Sequence, residues 1–507
     1  MSAAPRHAQI TIVGAGPSGL TVAAELALQG CKVVVLERRE DGVQSRAGTV
    51  LPRVLELLDY RGMAQGFIAR AREIRENPLI PFHIWSGLQP IWWRYLHSAF
   101  GYRLVLPQNV TESLLHDRVI EHGVEVIYGA TVSGLEQTEA GVVVTADLAS
   151  TGQQKWIADY VVGADGARSA VRRLSDMAFN GHDGTFTGII ADVRVNMHWP
   201  EGRAMVDNER GWAASFPFGE GGEITRFNFV HVDRRAADKS EPVTAEEVKT
   251  CLEEIFERKI EFTSLLWASR FTDAMRSVDN LRKGRVFLVG ESARIHYPAS
   301  GVGMNFCIQD AFNLGWKLGL VATGRSPESI LDSYNSERLP VTLDLLDSVR
   351  AQTALQFNFS AEGIALKRFI KHTLLPLPDV NKAIALELNG LSRAYPASGQ
   401  GHHLEGRPVP EFSLQDKGGI RRIAELLNRG KFVLIDLSGG TSLADIATTD
   451  ILYASGRAVG APTELDELTA ILIRPDGYVE WSSSKAEPTV DDLRQALSTW
   501  LRFSLTF

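Results

Sequence analysis

Ile10-Thr11-Ile12-Val13-Gly14-Ala15-Gly16-Pro17-Ser18-Gly19 is the stretch that decides the fold. Its first four residues form an apolar run typical of a buried strand, and the glycines permit a tight turn into a helix. Residues 20–29 have helical periodicity, and a second apolar run, 32–36, ends at Glu37. Such glycines let a pyrophosphate approach the backbone, and a carboxylate after the second strand can hold ribose hydroxyls. The sequence therefore predicts a βαβ unit that binds a dinucleotide.

A second glycine-rich stretch lies far along the chain, at residues 285–305. Residues 286–289 are a short apolar run that indicates a buried strand, and Glu291 follows one glycine later. Pro298, Gly301 and Gly303 then form a loop before a predicted helix over 304–322. A helix N-terminus offers unpaired N–H groups and positive partial charge. This order of elements predicts a cradle for a flat, anionic cofactor.

A third motif, Asp165-Gly166, follows the apolar run 161–163 and precedes a short basic helix predicted over 170–174. It repeats the pattern of a strand that ends in glycine and an acid. Between the motifs, residues 131–136, 142–148 and 155–160 alternate strands with polar turns and predict an antiparallel meander.

The composition is that of an ordinary globular protein, with 44% hydrophobic and 22% charged residues in a chain of 507. The net charge of −8 offers no basic field for nucleic acid. Cys31, Cys251 and Cys307 are odd in number and widely spaced, so neither a disulfide framework nor a metal site is indicated. No apolar run approaches the roughly 18 residues that span a bilayer. We therefore expect a cytoplasmic protein that binds no nucleic acid, membrane or metal.

Two segments between the motifs are candidates for a substrate pocket. Residues 77–105 are rich in aromatic side chains without a helical period and predict pocket-lining strands and loops. Residues 179–276 predict a mostly antiparallel sheet with one helix, 244–257, capped by Thr244. Packing in the core is the alternative role for the aromatic rings. The side chains that we expect to line the pocket are Trp85, Trp93, Trp212, Phe216, Pro217 and Phe229.

The end of the chain predicts a separate α/β domain after a linker near 398–410. Helices are predicted over 418–427 and 488–501, with strands over 431–437, 450–455, 468–474 and 478–481. This order resembles a thioredoxin-like domain. Residues 398–507 contain no cysteine, so dithiol chemistry is excluded and a structural role is expected.

The three motifs, in this order, resemble those of the FAD-dependent aromatic hydroxylases, the group A flavoprotein monooxygenases with the para-hydroxybenzoate hydroxylase fold. The resemblance covers about residues 8–395, and bacterial hydroxylases of aromatic polyketides and antibiotics are the most similar subset. It implies an α/β fold class with a Rossmann-type FAD-binding domain and an inserted antiparallel β-sheet substrate domain. The implied boundaries are 1–178 and 277–397 for the FAD-binding domain, 179–276 for the substrate domain and 398–507 for the thioredoxin-like domain.

The resemblance also assigns cofactor-binding residues. Those for the pyrophosphate, the ribose, the adenine and the ribityl chain are Gly14, Gly16, Gly19, Glu37, Arg38, Gln108 and Glu291, and Arg46 is a further cofactor contact. Asp165 and Gly166 match a motif implicated in binding both FAD and the reduced nicotinamide. Those at the flavin ring are Pro298, Gly301, Gly303, Met304 and Asn305. The single dinucleotide-binding unit implies that the nicotinamide binds only transiently.

This chain departs from the family pattern around its second glycine-rich stretch. Glu291 stands where the family usually has aspartate, and Arg294 where it often has histidine. Tyr297 replaces a common proline, and Ser300 and Val302 replace a common glycine and glutamine. The carboxylate of Glu291 is retained but is one methylene longer.

The activity implied is hydroxylation of an aromatic, polycyclic polyketide-like substrate. NADPH or NADH reduces the FAD, and O2 then gives a flavin C4a-hydroperoxide that transfers OH to an aromatic carbon. The sequence identifies no catalytic base. His296 and Tyr297 are candidates because they lie near Pro298, Gly301 and Gly303, and a packed loop residue is the alternative for each. We call the segment 296–303 the flavin loop. Baeyer–Villiger insertion on a ketone and a low-turnover flavin-binding scaffold are the alternative functions, and a monomer or homodimer is expected.

Overall fold

The computed structural model describes residues 4–40, 47–195, 204–218, 224–399, 401–439, 443–486 and 488–502. Arg46, which the family resemblance assigns to the cofactor, lies outside the described residues. No helix of the described residues is both long and apolar enough to cross a membrane.

The part of the chain before residue 179 alternates strands with helices. Its elements are β1 Arg6–Val13, α1 Pro17–Leu28, β2 Val33–Leu36, β3 Thr49–Val50, α2 Pro52–Asp59, α3 Ala64–Ile74, β4 Leu79–Ile80, β5 Phe82–Trp85, β6 Leu88–Trp92, β7 Arg103–Val105, α4 Gln108–Glu121, β8 Glu125–Ile127, β9 Ala130–Thr138, β10 Gly141–Leu148, β11 Gly152–Gly163 and α5 Ala170–Leu174.

The middle of the chain supplies a second sheet and then returns to the first. Its elements are β12 Asn180–His182, β13 Thr187–Val195, β14 Ala204–Asn208, β15 Gly211–Phe218, β16 Ile224–His231, α6 Ala245–Phe256, β17 Phe262–Thr272, β18 Met275–Ser277, β19 Arg282–Lys283, β20 Val286–Leu288, β21 Arg294–Ile295, α7 Gly303–Ala322, α8 Asp332–Gln356, α9 Ala361–Phe369 and α10 Pro378–Leu388.

The last part of the chain forms a small α/β unit. Its elements are β22 Ser413–Asp416, β23 Gly419–Arg422, α11 Ile423–Leu427, β24 Phe432–Asp436, β25 Ile451–Ser455, β26 Arg457–Val459, β27 Ala470–Ile473, β28 Val479–Ser483 and α12 Val490–Ser498. The helix predicted over 418–427 is therefore wrong in its first half, which is a strand.

The central sheet places the carboxyl ends of five strands at one edge. Its order is β19-β20-β11-β1-β2-β8, and β20, β11, β1, β2 and β8 run parallel to their neighbours in this group. The carboxyl ends of β1, β2, β8, β11 and β20 therefore lie side by side. The predicted meander strand 155–160 and the run 161–163 are one continuous strand, because β11 extends from Gly152 to Gly163. The first part of β11 pairs antiparallel with β10.

Helices α1 and α7 pack closely on this sheet because α7 presents two glycines to α1. A Cβ built on Gly315 would lie 2.5 Å from the Glu25 Cβ, and one on Gly319 would lie 2.6 Å from the Gln29 Cγ. This close approach holds α1, which follows the first glycine-rich turn, beside α7.

The inserted domain is a five-stranded antiparallel sheet, as expected, in the order β14-β15-β16-β13-β17. We refer to it as the substrate sheet. One face packs against α6 through Ile189, Phe227 and Phe229. The other face packs through Trp212 and Val230 on a cluster that includes Tyr297. The sequence predicts strands over 189–196, 203–206, 212–217 and 225–232, but none at the edge strand β17.

The C-terminal unit has a four-stranded sheet in the order β25-β24-β27-β28, with β24 parallel to β25 and antiparallel to β27. This is the strand arrangement expected for a thioredoxin-like domain. Its core includes Trp316 and Leu320 of α7, so the unit is packed directly on the FAD-binding region.

Candidate active site

The three predicted motifs meet at the carboxyl edge of the central sheet. Gly14 has φ +105°, and a Cβ there would lie 2.4 Å from the carbonyl oxygen of Ala164, the residue before Asp165. Gly290 has φ +62°, and its Cβ would lie 2.6 Å from the Oγ of Ser18 at the start of α1. These contacts join motifs that are separated by more than 100 residues in sequence.

The turn into α1 leaves space for a ligand beside its N-terminus. A Cβ on Gly19 would lie 1.9 Å from the Gly14 carbonyl oxygen, so this glycine is required for close packing. A Cβ on Gly16 would meet nothing nearer than the Glu112 Oε1 at 4.0 Å. Because α1 has no side-chain N-cap, its first N–H groups are available to an anion.

Glu37 lies at the end of β2, where a ribose-binding carboxylate is expected. Its Oε2 accepts from the Ala15 N–H at 2.7 Å, and its Oε1 accepts from the backbone N–H and the Nε of Arg39. Burial alone would raise the pKa of Glu37, but these hydrogen bonds outweigh it and hold the pKa below its usual value. Arg39, which sequence reasoning missed, therefore pairs with the acid, whereas Arg38 is exposed.

Asp165 caps the helix that follows it. Its Oδ1 accepts from the Ser169 Oγ at 2.5 Å, and its Oδ2 accepts from the Ala170 N–H at 2.6 Å. Burial raises the pKa of Asp165 in spite of these hydrogen bonds. Gly166 has φ +74° with nothing within 4 Å of a Cβ, so the turn beside Asp165 is open.

The other carboxylate at this edge, Glu291, is exposed within a 3₁₀ turn, Gly290–Ser292. Ser292 anchors that turn by donating to the Gly163 carbonyl oxygen at 2.6 Å. An exposed side chain has room to adjust for the extra methylene of glutamate.

The flavin loop is held in shape by hydrogen bonds around Ser300. This residue has φ +53°, the left-handed region in which the family has glycine. The Ser300 carbonyl oxygen lies 2.7 Å from His83 Nε2, and its Oγ donates to Gln352 Oε1 at 2.6 Å. Gly301 continues the turn with φ +67°. The hydrogen bonds offset the strain of a non-glycine residue at this position.

Asn305 and Gln108 both bind the segment around residues 47–51. The Oδ1 of Asn305 accepts from the Leu51 N–H at 2.7 Å, and its Nδ2 donates to the Thr49 carbonyl at 3.1 Å. The Oε1 of Gln108 accepts from the Ala47 N–H at 3.1 Å. Both side chains therefore position the backbone that frames the site. Of their neighbours, Pro298 is exposed and Met304 is partly buried.

The helix after the flavin loop begins without a side-chain cap and without an acid in its first turn. A Cβ on Gly303 would lie 3.7 Å from the His296 ring, which is ordinary contact. The N-terminus of α7 thus presents backbone N–H groups and positive partial charge beside His296.

Arg294 is fully buried and makes an ion pair rather than a contact with solvent. Its Nη1 donates to Asp310 Oδ2 and to Thr342 Oγ1, and Arg338 donates to the other oxygen of Asp310 at 2.7 Å. The arginine that replaces the family histidine is therefore part of a structural pair, and its partners had no signal in the sequence.

The two candidate bases have different surroundings. Tyr297 is buried among Phe186, Phe271 and Phe357, and burial raises the pKa of its hydroxyl above the usual value. Burial lowers the pKa of His296 to about 4, so its imidazole is neutral near pH 7. The Nδ1 of His296 lies 2.7 Å from the Tyr297 carbonyl oxygen, which fixes Nδ1 as the protonated nitrogen and leaves Nε2 as an acceptor.

The aromatic residues expected in the pocket do not share one surface. Trp212 and Phe216 lie on the same face of β15, the one turned away from α6. Phe216 and Trp85 are partly exposed. Trp93 is fully buried. Phe229 packs against α6 on the opposite face, so it does not lie on the same surface as Trp212 and Phe216. Strand alternation turns Pro217 to that face as well.

Comparison with known proteins bears on this geometry. The FAD binding domain family matches residues 7–349, and the family called aromatic-ring hydroxylase, C-terminal, matches residues 402–502. The chain belongs to the FAD-dependent aromatic-ring hydroxylases.

Individual relatives of this family match almost the whole chain. A 12-dehydrotetracycline 5-monooxygenase/anhydrotetracycline 6-monooxygenase of Streptomyces rimosus subsp. rimosus is 36% identical, over 97% of this chain and 98% of the relative. A rifampicin monooxygenase of Streptomyces venezuelae is 35% identical, over 93% of this chain and 95% of the relative. The solved structure of OxyS anhydrotetracycline hydroxylase from Streptomyces rimosus has a TM-score of 0.88 and 35% identity, covering 98% of this chain and 99% of OxyS.

This hydroxylase is thus a flavoprotein monooxygenase with FAD as its cofactor and NAD(P)H as the co-substrate typical of the family. The residues at the carboxyl edge fit FAD. Two uncapped helix N-termini and the space above Gly16 suit a pyrophosphate and an anionic ring, and Glu37 stands at the end of β2, where a carboxylate suits a ribose.

Proposed function

We propose that this enzyme hydroxylates a neutral, polycyclic aromatic compound of the polyketide type, with NADPH or NADH as reductant and O2 as oxidant. The relatives named above act on tetracycline-type compounds and on rifampicin, according to their names. When bound, FAD would supply the oxygen chemistry, using the two electrons of NADPH or NADH to activate O2 for transfer of one oxygen atom to the aromatic ring.

The observation that supports an uncharged substrate is an ion pair on the substrate sheet. Arg226 binds both carboxylate oxygens of Asp192, at 2.7 and 2.8 Å, and both side chains are buried. The cross-strand pair neutralises the guanidinium, so it does not attract an anionic substrate such as a benzoate. Aromatic side chains on the same face favour a flat apolar ring system.

Residues of this chain support the reaction in three ways. The N-terminus of α7 favours negative charge on a reduced flavin ring. The buried rings of Tyr297, Phe186 and Phe357 keep water from the side of the flavin loop turned to the substrate sheet. The Nε2 of His296 is an acceptor in the flavin loop that can hold a substrate hydroxyl by a hydrogen bond.

A screen of fused-ring phenols tests the proposal. NADPH and NADH consumption and O2 uptake by the FAD-loaded enzyme are followed with each compound, and the product is analysed by mass spectrometry and NMR. We expect substrate-stimulated consumption and a product with one added oxygen as a new aromatic hydroxyl. An oxygen inserted into a ring would identify Baeyer–Villiger chemistry, and consumption that no aromatic compound stimulates would overturn the proposal.

A further inference from the structure

Two serines of this chain have a backbone conformation that favours glycine, and both are hydrogen-bonded to the same side chain. Among the described residues other than glycine, those with φ in the left-handed region are Ser86, Asp176, Glu257 and Ser300. Ser86 lies at the tip of the β5–β6 hairpin, whereas Ser300 lies in the flavin loop, far away in the sequence. Gln352 of α8 binds both serines.

The side chain of Gln352 is only 1% exposed and forms a bridge between these two segments. Its Oε1 accepts from the Ser86 N–H at 3.2 Å and from the Ser300 Oγ at 2.6 Å. The backbone carbonyl of Gln352 accepts from the Ser86 Oγ at 2.9 Å, and its Nε2 donates to the Ser348 Oγ at 3.0 Å. One residue of α8 therefore joins the hairpin tip to the flavin loop.

The hairpin also binds the flavin loop directly through His83 of β5. The Nε2 of His83 lies 2.7 Å from the Ser300 carbonyl oxygen, so this nitrogen carries a proton and donates it to the hydrogen bond. The His83 ring is buried, with its centroid 5.2 Å from that of Trp93. Ser300 is thus held both at its carbonyl and at its hydroxyl group.

The tip of the hairpin contacts the substrate sheet as well. Gly87, which follows Ser86, has φ +75°, and a Cβ there would lie 2.8 Å from the Nε1 of Trp212 and 3.6 Å from the Cγ of Gln356. Positive φ at both tip residues is what a two-residue hairpin loop of type I′ requires. The hairpin therefore connects the substrate sheet with the flavin loop.

Strain explains why the flavin loop of this chain needs such support. A residue other than glycine keeps a left-handed conformation only where its surroundings hold it, and such residues cluster at functional sites. The family pattern has glycine where Ser300 stands, and glycine adopts this conformation without strain. The serine makes the shape of the loop depend on its hydrogen bonds.

We propose that Gln352 is a positioning residue that holds the flavin loop and the β5–β6 hairpin in one arrangement and thereby limits movement of the flavin ring of bound FAD. Gln352 acts through Ser300 and Ser86 rather than by contact with the cofactor. The inference rests on the placement of FAD at this edge of the central sheet. It does not depend on which compound is hydroxylated, so the substrate screen described above does not decide it.

The test compares the FAD-loaded wild type with Gln352→Met, which is similar to glutamine in length but makes no amide hydrogen bond. Loss of one hydrogen bond shifts an equilibrium between a held and a released loop by roughly 2- to 10-fold. Access to the bound flavin is measured by acrylamide quenching of its fluorescence, and its surroundings by visible circular dichroism, both without substrate. We expect Gln352→Met to have a higher quenching constant and a weaker flavin dichroism than the wild type.

Three further variants separate positioning from packing. Ser348→Ala removes the third partner of the Gln352 amide but leaves both serine bonds, so its flavin signals should match those of the wild type. Ser300→Gly, added to Gln352→Met, removes the strain in the loop and should bring quenching back towards the wild-type value. The FAD content and Tm of each variant are measured alongside. If Gln352→Met does not fold, Ser300→Ala carries the test, because it loses the bond to Gln352 and keeps the strain.

Three outcomes would overturn the inference. Wild-type flavin signals in Gln352→Met, whether or not its Tm falls, show that the residue has a structural role only. Quenching in Ser348→Ala as strong as in Gln352→Met shows that packing around α8, and not the bridge between the serines, controls access to the flavin. A double variant as open to acrylamide as Gln352→Met shows that strain at Ser300 is not what the bridge opposes.

Discussion

The substitutions Gly16→Ser and Gly19→Ser should have different effects, because Gly16 leaves space for FAD whereas Gly19 is needed for packing of the fold. Gly16 has φ −79°, which any residue adopts, and its Cβ would point into open space. As the N-cap of α1, a serine there can accept a hydrogen bond from the helix and changes stability by only a few tenths of a kcal/mol. The same side chain occupies the place from which a pyrophosphate reaches the N–H groups of α1.

The magnitudes follow from these contacts. Each N–H bond that the pyrophosphate loses is worth about 1.5–3 kcal/mol, so Gly16→Ser should weaken FAD binding roughly 10- to 100-fold per bond. At Gly19 the new Cβ would lie 1.9 Å from the Gly14 carbonyl oxygen, so the start of α1 has to move. Overpacking of this kind costs about 1–3 kcal/mol, and Gly19→Ser should lower the Tm of the apoprotein by several degrees.

The assay pairs FAD titration of the apoprotein, followed by flavin fluorescence, with calorimetric melting of the same apoprotein. We expect Gly16→Ser to melt as the wild type does while it binds FAD weakly. If Gly16→Ser loses as much Tm as Gly19→Ser, the space beside Gly16 is not open. If Gly16→Ser binds FAD with the wild-type Kd, the pyrophosphate does not lie at this turn.

Three other changes test separate parts of the molecule. Glu291→Gln should reduce the FAD content of the purified protein without lowering the apoprotein Tm, because the exposed side chain loses charge but no packing; an unchanged FAD content would exclude the carboxylate from binding. His296 has a folded pKa of about 4 against an unfolded value near 6.5, so its contribution to stability is present above pH 6.5 and is lost as the pH falls towards 4. His296→Asn should remove that part of the acid sensitivity, which parallel melts of the two proteins from pH 7 to pH 4 would show, and identical pH profiles would contradict it. Arg474→Met breaks a buried ion pair with Glu337 and should lower the free energy of unfolding by about 3–5 kcal/mol, as measured by denaturant unfolding. Arg421→Met removes an exposed pair with Asp416 and should lower it by under about 1 kcal/mol. Equal losses in the two variants would show that burial does not make the Arg474 pair more important.

Periodicity and turn residues predicted the order of strands and helices well where one face of an element is buried. The strands of the substrate sheet were predicted by alternation, apart from β17, whose residues are mostly half-buried or exposed and carry a weaker pattern. Alternation does not say which face of a strand meets the ligand. The sequence therefore allowed Phe229 to be expected in the pocket. In the structure, Phe229 and its cross-strand partner Ala213 both lie on the face that packs against α6.

Within the site, glycines were predictable and partners were not. The positive φ of Gly14 and Gly290 follows from turn chemistry that sequence carries locally. The pairing of Glu37 with Arg39 depends on which of two adjacent arginines turns inward. The burial of Arg294 depends on its ion pair with Asp310, which lies about two turns into α7. Such choices are fixed by tertiary packing, for which a single sequence contains no local signal.

The role of the cysteine-free C-terminal domain becomes clear from where its hairpin turn lies. The strands predicted over 468–474 and 478–481 imply a turn at 475–477, with Pro, Asp and Gly as turn residues, but its insertion against α2 and α7 was not predicted. The Asp476 carboxylate accepts from Trp316 Nε1 of α7 at 3.1 Å, and the Asp476 carbonyl accepts from Arg53 of α2 at 2.8 Å. The same two regions frame the flavin loop, since Asn305 of α7 binds the backbone of Leu51 just before α2.

The C-terminal domain also supplies one charge of a buried ion cluster on α7 and α8. Glu337 is buried between Lys317 of α7 and Arg474 of the C-terminal domain, and these two cations bring the pKa of Glu337 down to about 2 in spite of its burial. Without Arg474, a buried carboxylate would keep one cation where it now has two, and the helix that presents its N-terminus to the flavin would be held less firmly. The C-terminal domain therefore completes, through Arg474, a buried ion cluster that includes Lys317 of α7.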